Sequence, residues 1–381
     1  MSDRPTVRFP AFPEPPEKKR HTWRVALVAA LATLALLVPL VIALLLRRGD
    51  EAETPAVPAP PSSGTPSPSR PRAVPDGHIA LATLQNATLT IPPWPKDNVR
   101  GPSGRLRFRD GVVPIEQETT PAPHGPPRGM EIVILDVAYG DLDRDGADET
   151  VARIGCLIEG GSQQVVAFDR NAAGRIVTMG TVVATTGAIR DIGAGSVRVS
   201  DDGVVTARVA DYQVCCDDRT PQVWQRRGYR WAGGHFDQVS GPVRMALNPY
   251  VTDVAVTAGE LVLGPAVDGF RYGTVAVTVR HVRGTRPAQA LIEFFPSEGL
   301  ERAGTAWPAV ITGPRIPWMR VSLAPPPARG SHTYTFAFRR PAGISGGSLE
   351  IEAGGAGKAS AALSDSMVWN NGATVAIRTA N

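Results

Sequence analysis

The sequence predicts an all-β protein whose body is tethered to a membrane by a single N-terminal helix. An apolar run without a charge begins at Val25 and ends at Leu46, and a helix of that length crosses the ~30 Å hydrocarbon core of a bilayer. From His78 onwards, apolar and polar residues alternate with a period of two, the pattern of strands with one buried face. No convincing helical period follows the apolar run.

The charges that flank the apolar run predict its orientation. They are more numerous before it than directly after it: Lys18, Lys19, Arg20 and Arg24 against Arg47 and Arg48. Because the more basic flank tends to stay in the cytoplasm, residues 1–24 are predicted to be a disordered cytoplasmic tail and the body to be extracytoplasmic. A cleaved signal peptide is the alternative, but its apolar region is only about 7–15 residues long and ends at small residues. We therefore expect an uncleaved, single-pass anchor over residues 25–46 in the cell membrane, with the lipid bilayer as its partner.

A linker over residues 47–76 is predicted to lift the body off the membrane. Its centre reads TPAVPAPPSSGTPSPSRPRAVP over residues 54–75. Prolines at this density favour extended polyproline conformations, which make a semi-rigid spacer of about 3 Å per residue. The linker is therefore expected to be a stalk rather than part of a packed core.

The remainder of the chain has the length of two ordinary domains, and its charge pattern argues against a nucleic-acid partner. The 381 residues carry a formal net charge of +4, and the basic residues are scattered through the body rather than gathered in runs. We expect an all-β domain over residues 77–245 and a second β domain over residues 246–381.

Cysteines are sparse, and exported proteins can join them in disulfides. Cys156 is expected to form a cross-link with one member of the adjacent pair Cys215 and Cys216, which leaves one thiol over. A bond between the adjacent cysteines is the strained alternative.

Alternating segments in residues 77–245 predict strands. Sequences rich in Gly, Asp and Asn mark turns at residues 110–111, 171–174, 201–203 and 232–234. The segment that begins at Glu131 is the most apolar, and the one from Thr150 is its expected antiparallel partner. The expected strands cover residues 79–84, 87–91, 105–109, 131–139, 150–158, 164–168, 176–179, 197–200, 204–209, 224–231 and 235–239.

The second domain shows the pattern of an immunoglobulin-like β-sandwich. About seven short strands separated by frequent turns are typical of that architecture, although the Cys–Trp–Cys signature is absent. The expected strands cover residues 254–256, 261–263, 273–280, 290–296, 319–323, 333–338 and 348–352.

One loop of the first domain has the composition of a metal site. Residues 141–149 read DLDRDGADE, with five carboxylates in nine residues and a glycine that permits a sharp turn. Ca²⁺ takes about six to eight oxygen ligands at roughly 2.3–2.6 Å, and carboxylates this dense repel one another without a cation. The predicted Ca²⁺ ligands are the side chains of Asp141, Asp143, Asp145 and Glu149 and the backbone carbonyl of Ala147.

Acidic loops of this kind also occur in EF-hands and in solvated hairpins. An EF-hand is rejected because Ala152 occupies its twelfth position, where a glutamate is needed, and because the flanking segments are strands. A solvated acidic hairpin loop without an ion is the second interpretation. The crowding of carboxylates favours the metal.

The order strand, DxDxDGxxE, strand resembles the FG-GAP and VCBS calcium repeats of integrin-type β-propellers. The resemblance covers residues 133–183 and implies Ca²⁺ ligands at Asp141, Asp143, Asp145 and Glu149. Because a propeller needs several such units and the sequence has one, a single blade-like sheet within a compact all-β domain is expected.

Two further resemblances concern the rest of the body. The stretches DYQVCC (residues 211–216) and YRWAGGHF (residues 229–236) resemble uncharacterised exported proteins of actinobacteria. The stretch GTVAVTV (residues 273–279) and the later stretch from Phe294 to Gly304 resemble the CARDB class of immunoglobulin-like cell-surface domains. Neither resemblance names a ligand.

The sequence predicts a protein without catalytic activity. Residues 343–347 match GxSxG, but they form a glycine-rich turn before a strand rather than the strand–turn–helix of a nucleophile elbow. We expect a binding, adhesion or envelope-scaffold module with a structural Ca²⁺ loop, whose partner is an envelope protein or a polysaccharide. The alternatives are a cell-wall or glycan hydrolase that uses loop carboxylates as acid and base, and an envelope sensor with a short cytoplasmic tail.

Overall fold

The computed structural model describes residues 75–118, 124–158, 160–216, 218–312, 318–358 and 361–380. Their architecture is all-β, as predicted, and Arg72–Asn381 forms one compact unit. The predicted tail, the predicted transmembrane helix and nearly all of the predicted linker lie outside the described residues. Within the described ranges, no helix has the length and apolar character needed to cross a membrane.

The body begins with a short helix rather than the strand expected over residues 79–84. Helix α1 (Leu81–Gln85) precedes the two-stranded antiparallel sheet of β1 (Thr88–Ile91) and β2 (Gly104–Arg107). Ile79 and Leu84 are buried whereas Leu81 is exposed. One helical turn places the Leu84 side chain in the core while the residues just before it face water. The same alternation of apolar and polar residues therefore fits a short helix as well as a strand.

The first large sheet is an antiparallel meander of five strands. They are β3 (Val112–Pro114), β4 (Glu131–Gly140), β5 (Glu149–Leu157), β6 (Gly161–Arg170) and β7 (Ile176–Ala184), in the order β3-β4-β5-β6-β7. The predicted pairing of β4 with β5 and the predicted hairpin of β6 and β7 are confirmed. Strands β5 and β6 have buried side chains on both faces, and polar residues such as Arg153, Gln163 and Gln164 are among them.

A second sheet packs against one face of the meander. It contains β8 (Asp191–Ile192), β9 (Arg198–Val199), β10 (Val204–Ala210), β11 (Trp224–Trp231) and β12 (Phe236–Ser240). The predicted hairpins of β9 with β10 and of β11 with β12 are confirmed. Buried side chains of the two sheets, such as Val165 and Val205, share one hydrophobic cluster. On its other face the meander packs against β1, β2 and α1 through a second cluster.

The C-terminal part of the chain forms two further sheets around one core. Their strands are β13 (Val251–Ala258), β14 (Leu261–Leu263), β15 (Phe270–Gly284), β16 (Gln289–Pro296), β17 (Glu301–Arg302), β18 (Val310–Thr312), β19 (Met319–Leu323), β20 (Ser331–Pro341), β21 (Ser348–Ala356), β22 (Ser364–Asp365) and β23 (Gly372–Thr379). The orders are β17-β20-β15-β13-β22 and β14-β23-β21-β16-β19-β18.

These two sheets enclose one cluster that contains Val277, Phe294, Phe338 and Ile351. All seven strands expected here are present, and β17, β18, β22 and β23 are additional. The immunoglobulin-like class and the boundary between residues 245 and 246 remain predictions.

The C-terminal segments return to the N-terminal sheets. Trp369, in the 3₁₀ turn Val368–Asn370, packs against the cluster of β1 and the meander. Its backbone oxygen accepts a hydrogen bond from the Gly125 N–H at 3.1 Å, and His124 Nε2 lies 2.7 Å from Thr374 Oγ1. These contacts tie the two halves of the body together.

The expected cross-link of Cys156 does not form. Its thiol is buried, donates to the carbonyl oxygen of Arg100 at 3.4 Å, and has its pKa raised to about 11 by burial. Cys215 and Cys216 lie on an exposed segment with their sulfur atoms 3.0 Å apart.

Candidate metal site

The acidic loop connects two central strands of the meander. Strand β4 ends at Gly140 and β5 begins at Glu149, and these two residues pair across the ladder. The connection therefore returns on itself and gathers its carboxylates at one end of the hairpin. Oxygen atoms of Asp141, Asp143 and Glu149 lie within 4.8 Å of one another.

Backbone N–H groups hold Asp141 at the centre of the loop. Its carboxylate accepts hydrogen bonds from Arg144 at 2.6 Å, Asp145 at 3.2 Å and Gly146 at 3.1 Å. The chain can make this turn because Arg144 and Gly146 adopt left-handed conformations, with φ of 68° and 90°. The fold of the loop is thus set by its first aspartate.

Glu149 is the buried member of the group. It is 1% exposed, and its Oε2 accepts a hydrogen bond from the Leu142 N–H at 2.7 Å. Burial is the main cause that raises the pKa of this carboxyl group to about 7. The hydrogen bond from Leu142 lowers the pKa, whereas the charges of Asp143 and Asp169 raise it further. Burial, followed by the Asp145 charge, also raises the pKa of Asp143.

Two predicted ligands are not part of the converging group. One carboxylate oxygen of Asp145 accepts a hydrogen bond from the Ala147 N–H at 2.9 Å. The oxygens that converge belong to Asp141, Asp143 and Glu149. As ligands, Asp145 and Ala147 remain predictions.

Asp169 is a neighbour of the site that the sequence analysis missed. It lies near the end of β6, one residue beyond Phe168, which pairs with Thr150 of β5. Its charge raises the pKa of both Asp143 and Glu149, while burial and then Asp145 raise its own pKa. The register of the β5–β6 hairpin was the signal that could have found it, because it places Asp169 beside the start of β5.

The donor set suits a hard divalent cation. All three converging groups are carboxylates, the ligands that Ca²⁺ and Mg²⁺ prefer. Burial is the largest cause of the raised pKa values of Asp143, Asp169 and Glu149, and the charges of neighbouring carboxylates raise them further. A bound cation would supply the missing positive charge. Strands flank the loop on both sides, so the site is not an EF-hand.

Comparisons with known proteins give no identity. The chain matches no protein-family model, and a search of the curated proteins returns no match. The resemblances to FG-GAP, VCBS and CARDB repeats and to exported actinobacterial proteins therefore stay predictions.

Proposed function

We propose that this protein is a non-catalytic binding or scaffold module of the cell envelope, stabilised by Ca²⁺ at the acidic loop. The observation that carries the calcium part is the convergence of Asp141, Asp143 and Glu149 on one point. Residues 25–46 anchor the chain in the cell membrane in this proposal, and the linker presents the β-rich body outside. An envelope protein or a polysaccharide is the partner.

The position of the loop favours a structural role for the cation. The loop closes the β4–β5 hairpin, and Asp169 lies on the neighbouring strand β6. A cation held by the three carboxylates neutralises charges from β4–β5 and from β6 at once. It therefore stabilises the end of the sheet where three strands meet. A cavity of about 590 Å³ elsewhere in the body is lined by other residues.

Thermal unfolding of the full chain, in one uncharged detergent throughout, tests the calcium site. A ligand that binds only the folded state stabilises it by about 2.7 kcal/mol at a hundredfold excess over Kd. We expect Ca²⁺ to raise the melting temperature relative to a chelator, and Asp143→Asn to remove most of this rise. Asp148→Asn is the matched control, because Asp148 lies in the same loop outside the converging group.

The proposal of a calcium site is abandoned if Ca²⁺ leaves the melting temperature unchanged, or if Asp143→Asn responds as strongly as the control. Mg²⁺ in a parallel sample reports selectivity. Binding to isolated envelope polysaccharide and to envelope protein extracts then tests the scaffold part.

A hydrolase is the second candidate, on one observation. Glu149 has a pKa raised to about 7 beside the Asp143 carboxylate, and a carboxyl group of that pKa can act as a general acid. Release of soluble fragments from labelled cell wall by the wild type, and its loss in Glu149→Gln, would favour this function over the scaffold.

A further inference from the structure

A cavity of about 590 Å³ lies away from the acidic loop and is rich in arginine. Its walls come from β11, from residues 243–248, and from the ends of β13 and β15. Its charged lining residues are four arginines and one aspartate, namely Arg227, Arg244, Arg283, Arg329 and Asp211. The cavity lining therefore carries an excess of positive charge.

Arg227 is buried in the wall of this cavity without charge compensation. The residue is 7% exposed, and its Nε has no hydrogen-bond partner among the described residues. Its Nη atoms lie 3.5 Å from Gln238 Oε1 and from Met245 Sδ, and its side chain also interacts with that of Tyr229. A buried guanidinium whose neighbours are all uncharged is unfavourable unless an anion accompanies it.

The neighbouring ion pairs do not supply that anion. Asp253 pairs with Arg283 at 2.9 Å, and Asp97 pairs with the adjacent Arg190 at 3.2 Å. Burial, followed by the charge of Arg283, lowers the pKa of Arg190, so the positive field extends beyond the cavity wall. Within the described ranges, Arg227, Arg244 and Arg329 form no ion pair.

The remaining wall of the cavity is mostly apolar, with Thr186, Asn248 and Ser366 as its polar members. Val243 is 78% exposed and Leu247 is 69% exposed, and both line it. Ile189, Met245 and Val251 complete the apolar part. A ligand that fits both surfaces carries a negative group for the arginines and an apolar portion for these side chains.

We propose that this cavity binds an oxyanion, of the phosphate or carboxylate type, carried by a partly apolar molecule. Guanidinium groups bind both oxyanions through paired, charge-assisted hydrogen bonds. Arg227 is the central anion-binding residue, with Arg244 and Arg329 at the exposed rim. The site is separate from the proposed calcium loop, whose residues do not line the cavity.

Calorimetric titration of the full chain, in an uncharged detergent and a calcium-free buffer from which the chelator has been removed by dialysis, tests this site independently of calcium. The probes are phenyl phosphate, benzoate, inorganic phosphate and the neutral benzyl alcohol. We expect saturable binding of phenyl phosphate or benzoate, at least about ten-fold tighter than that of benzyl alcohol. Weaker binding of inorganic phosphate than of phenyl phosphate would support the apolar part of the site.

Arg227→Met tests the assigned residue, with Arg226→Met as the matched control. Arg226 precedes Arg227 on β11 and is exposed on the opposite face. Arg227→Met should weaken anion binding by about ten-fold or more, the effect of losing a hydrogen bond to a charged group, and Arg226→Met should bind like the wild type. Because methionine removes a buried unpaired charge, the melting temperature without ligand should not fall.

Two results would overturn the assignment. One is a wild type that binds neither phenyl phosphate nor benzoate, or that binds benzyl alcohol as tightly as phenyl phosphate. The other is an Arg227→Met protein whose anion affinity equals that of the wild type. If Arg227→Met does not fold, the exposed Arg329→Gln replaces it, and an unchanged affinity in that variant has the same meaning.

Discussion

Glu149 and Asp365 are carboxyl groups whose pKa is raised to about 7 in the folded protein, and their surroundings differ. Glu149 faces other carboxylates at the end of a hairpin, where a cation can neutralise it. Asp365 lies in β22 and accepts hydrogen bonds from the Val254 and Met367 N–H groups at 2.9 and 2.8 Å. Burial and then the charge of Asp253 raise its pKa. The folded state therefore favours the protonated form of Asp365 more strongly than the unfolded state does.

This preference predicts a pH dependence of stability. The pKa of Asp365 is about 7 when folded against 3.8 for the ordinary group, so between these values the native state holds the extra proton. The free energy of unfolding must then fall as pH rises through this window and level off above pH 7. We expect Asp365→Asn to remove this contribution, which is at most about 1.4 kcal/mol per pH unit.

Denaturant unfolding at several pH values, with chelator present, measures the effect as the difference between Asp365→Asn and the wild type. The exposed Asp201→Asn controls for the loss of one charge elsewhere. Parallel curves for the wild type and Asp365→Asn would contradict the prediction.

At the scale of single residues, sequence reasoning identified the acidic loop but not its full neighbourhood. Asp141, Asp143 and Glu149 are close in sequence, so one turn suffices to bring them together. Asp169 joins them only through the pairing of β5 with β6. In the sequence Arg227 is one of many scattered basic residues, and its place in the cavity wall depends on how residues 243–248 pack near β11. Such neighbours are fixed by tertiary packing, which a local pattern does not contain.

At the scale of elements, the Thr150 side chain on β5 holds residues 77–79 in place through two hydrogen bonds. Its hydroxyl accepts a hydrogen bond from the Ile79 N–H and donates one to the Gly77 carbonyl oxygen, both at 2.8 Å and both buried. A Cβ on Gly77 would lie 2.6 Å from Asp169 Oδ1 and 2.8 Å from the Asp148 carbonyl oxygen. The segment therefore passes directly behind the acidic loop, and Gly77 leaves no room for a larger residue.

Replacement of Thr150 tests whether its hydroxyl group holds residues 77–79 in place. Thr150→Val keeps the shape of the side chain and leaves the Ile79 N–H without its partner, so we expect a loss of about 2–3 kcal/mol in the free energy of unfolding. Thr88→Val, at an exposed position of β1, is the control and should change stability by about 0.5 kcal/mol or less. Equal unfolding midpoints for the two variants would show that the hydroxyl does not hold the segment.

The elements were predicted well where period-two alternation is strong and poorly where it is short. Strands β4, β5, β10 and β15 have long alternating or continuous apolar runs and were anticipated. Two-residue strands such as β8 and β22 have no pattern of their own, because hydrogen bonds to a longer neighbour define them. The misassigned α1 has only five residues, too few to display a helical period.

At the scale of the whole molecule, Trp369 connects the C-terminal sheets to the N-terminal core. Its ring packs against the cluster that contains Ile132 and Phe168, although it belongs to the last turn before β23. We expect Trp369→Ala to cost about 2–4 kcal/mol and to separate one cooperative unfolding transition into two. Val368→Ala, at an adjacent position with 55% exposure, is the matched control.

Calorimetry of the two variants decides this prediction. Two transitions in Trp369→Ala would also test the predicted division of the body near residue 245. A single transition at the melting temperature of the control would mean that Trp369 does not couple the two halves.

The position of β23 has a consequence for synthesis of the protein on the ribosome. This strand, Gly372–Thr379, lies between β14 and β21 as the second strand from one edge of its sheet, and its partner β14 was made more than a hundred residues earlier. Until residue 379 has left the exit tunnel, the nascent chain exposes Leu261 and Leu263 along an open strand edge. The export proposed above, with folding outside the membrane, would keep that edge away from neighbouring polysomes.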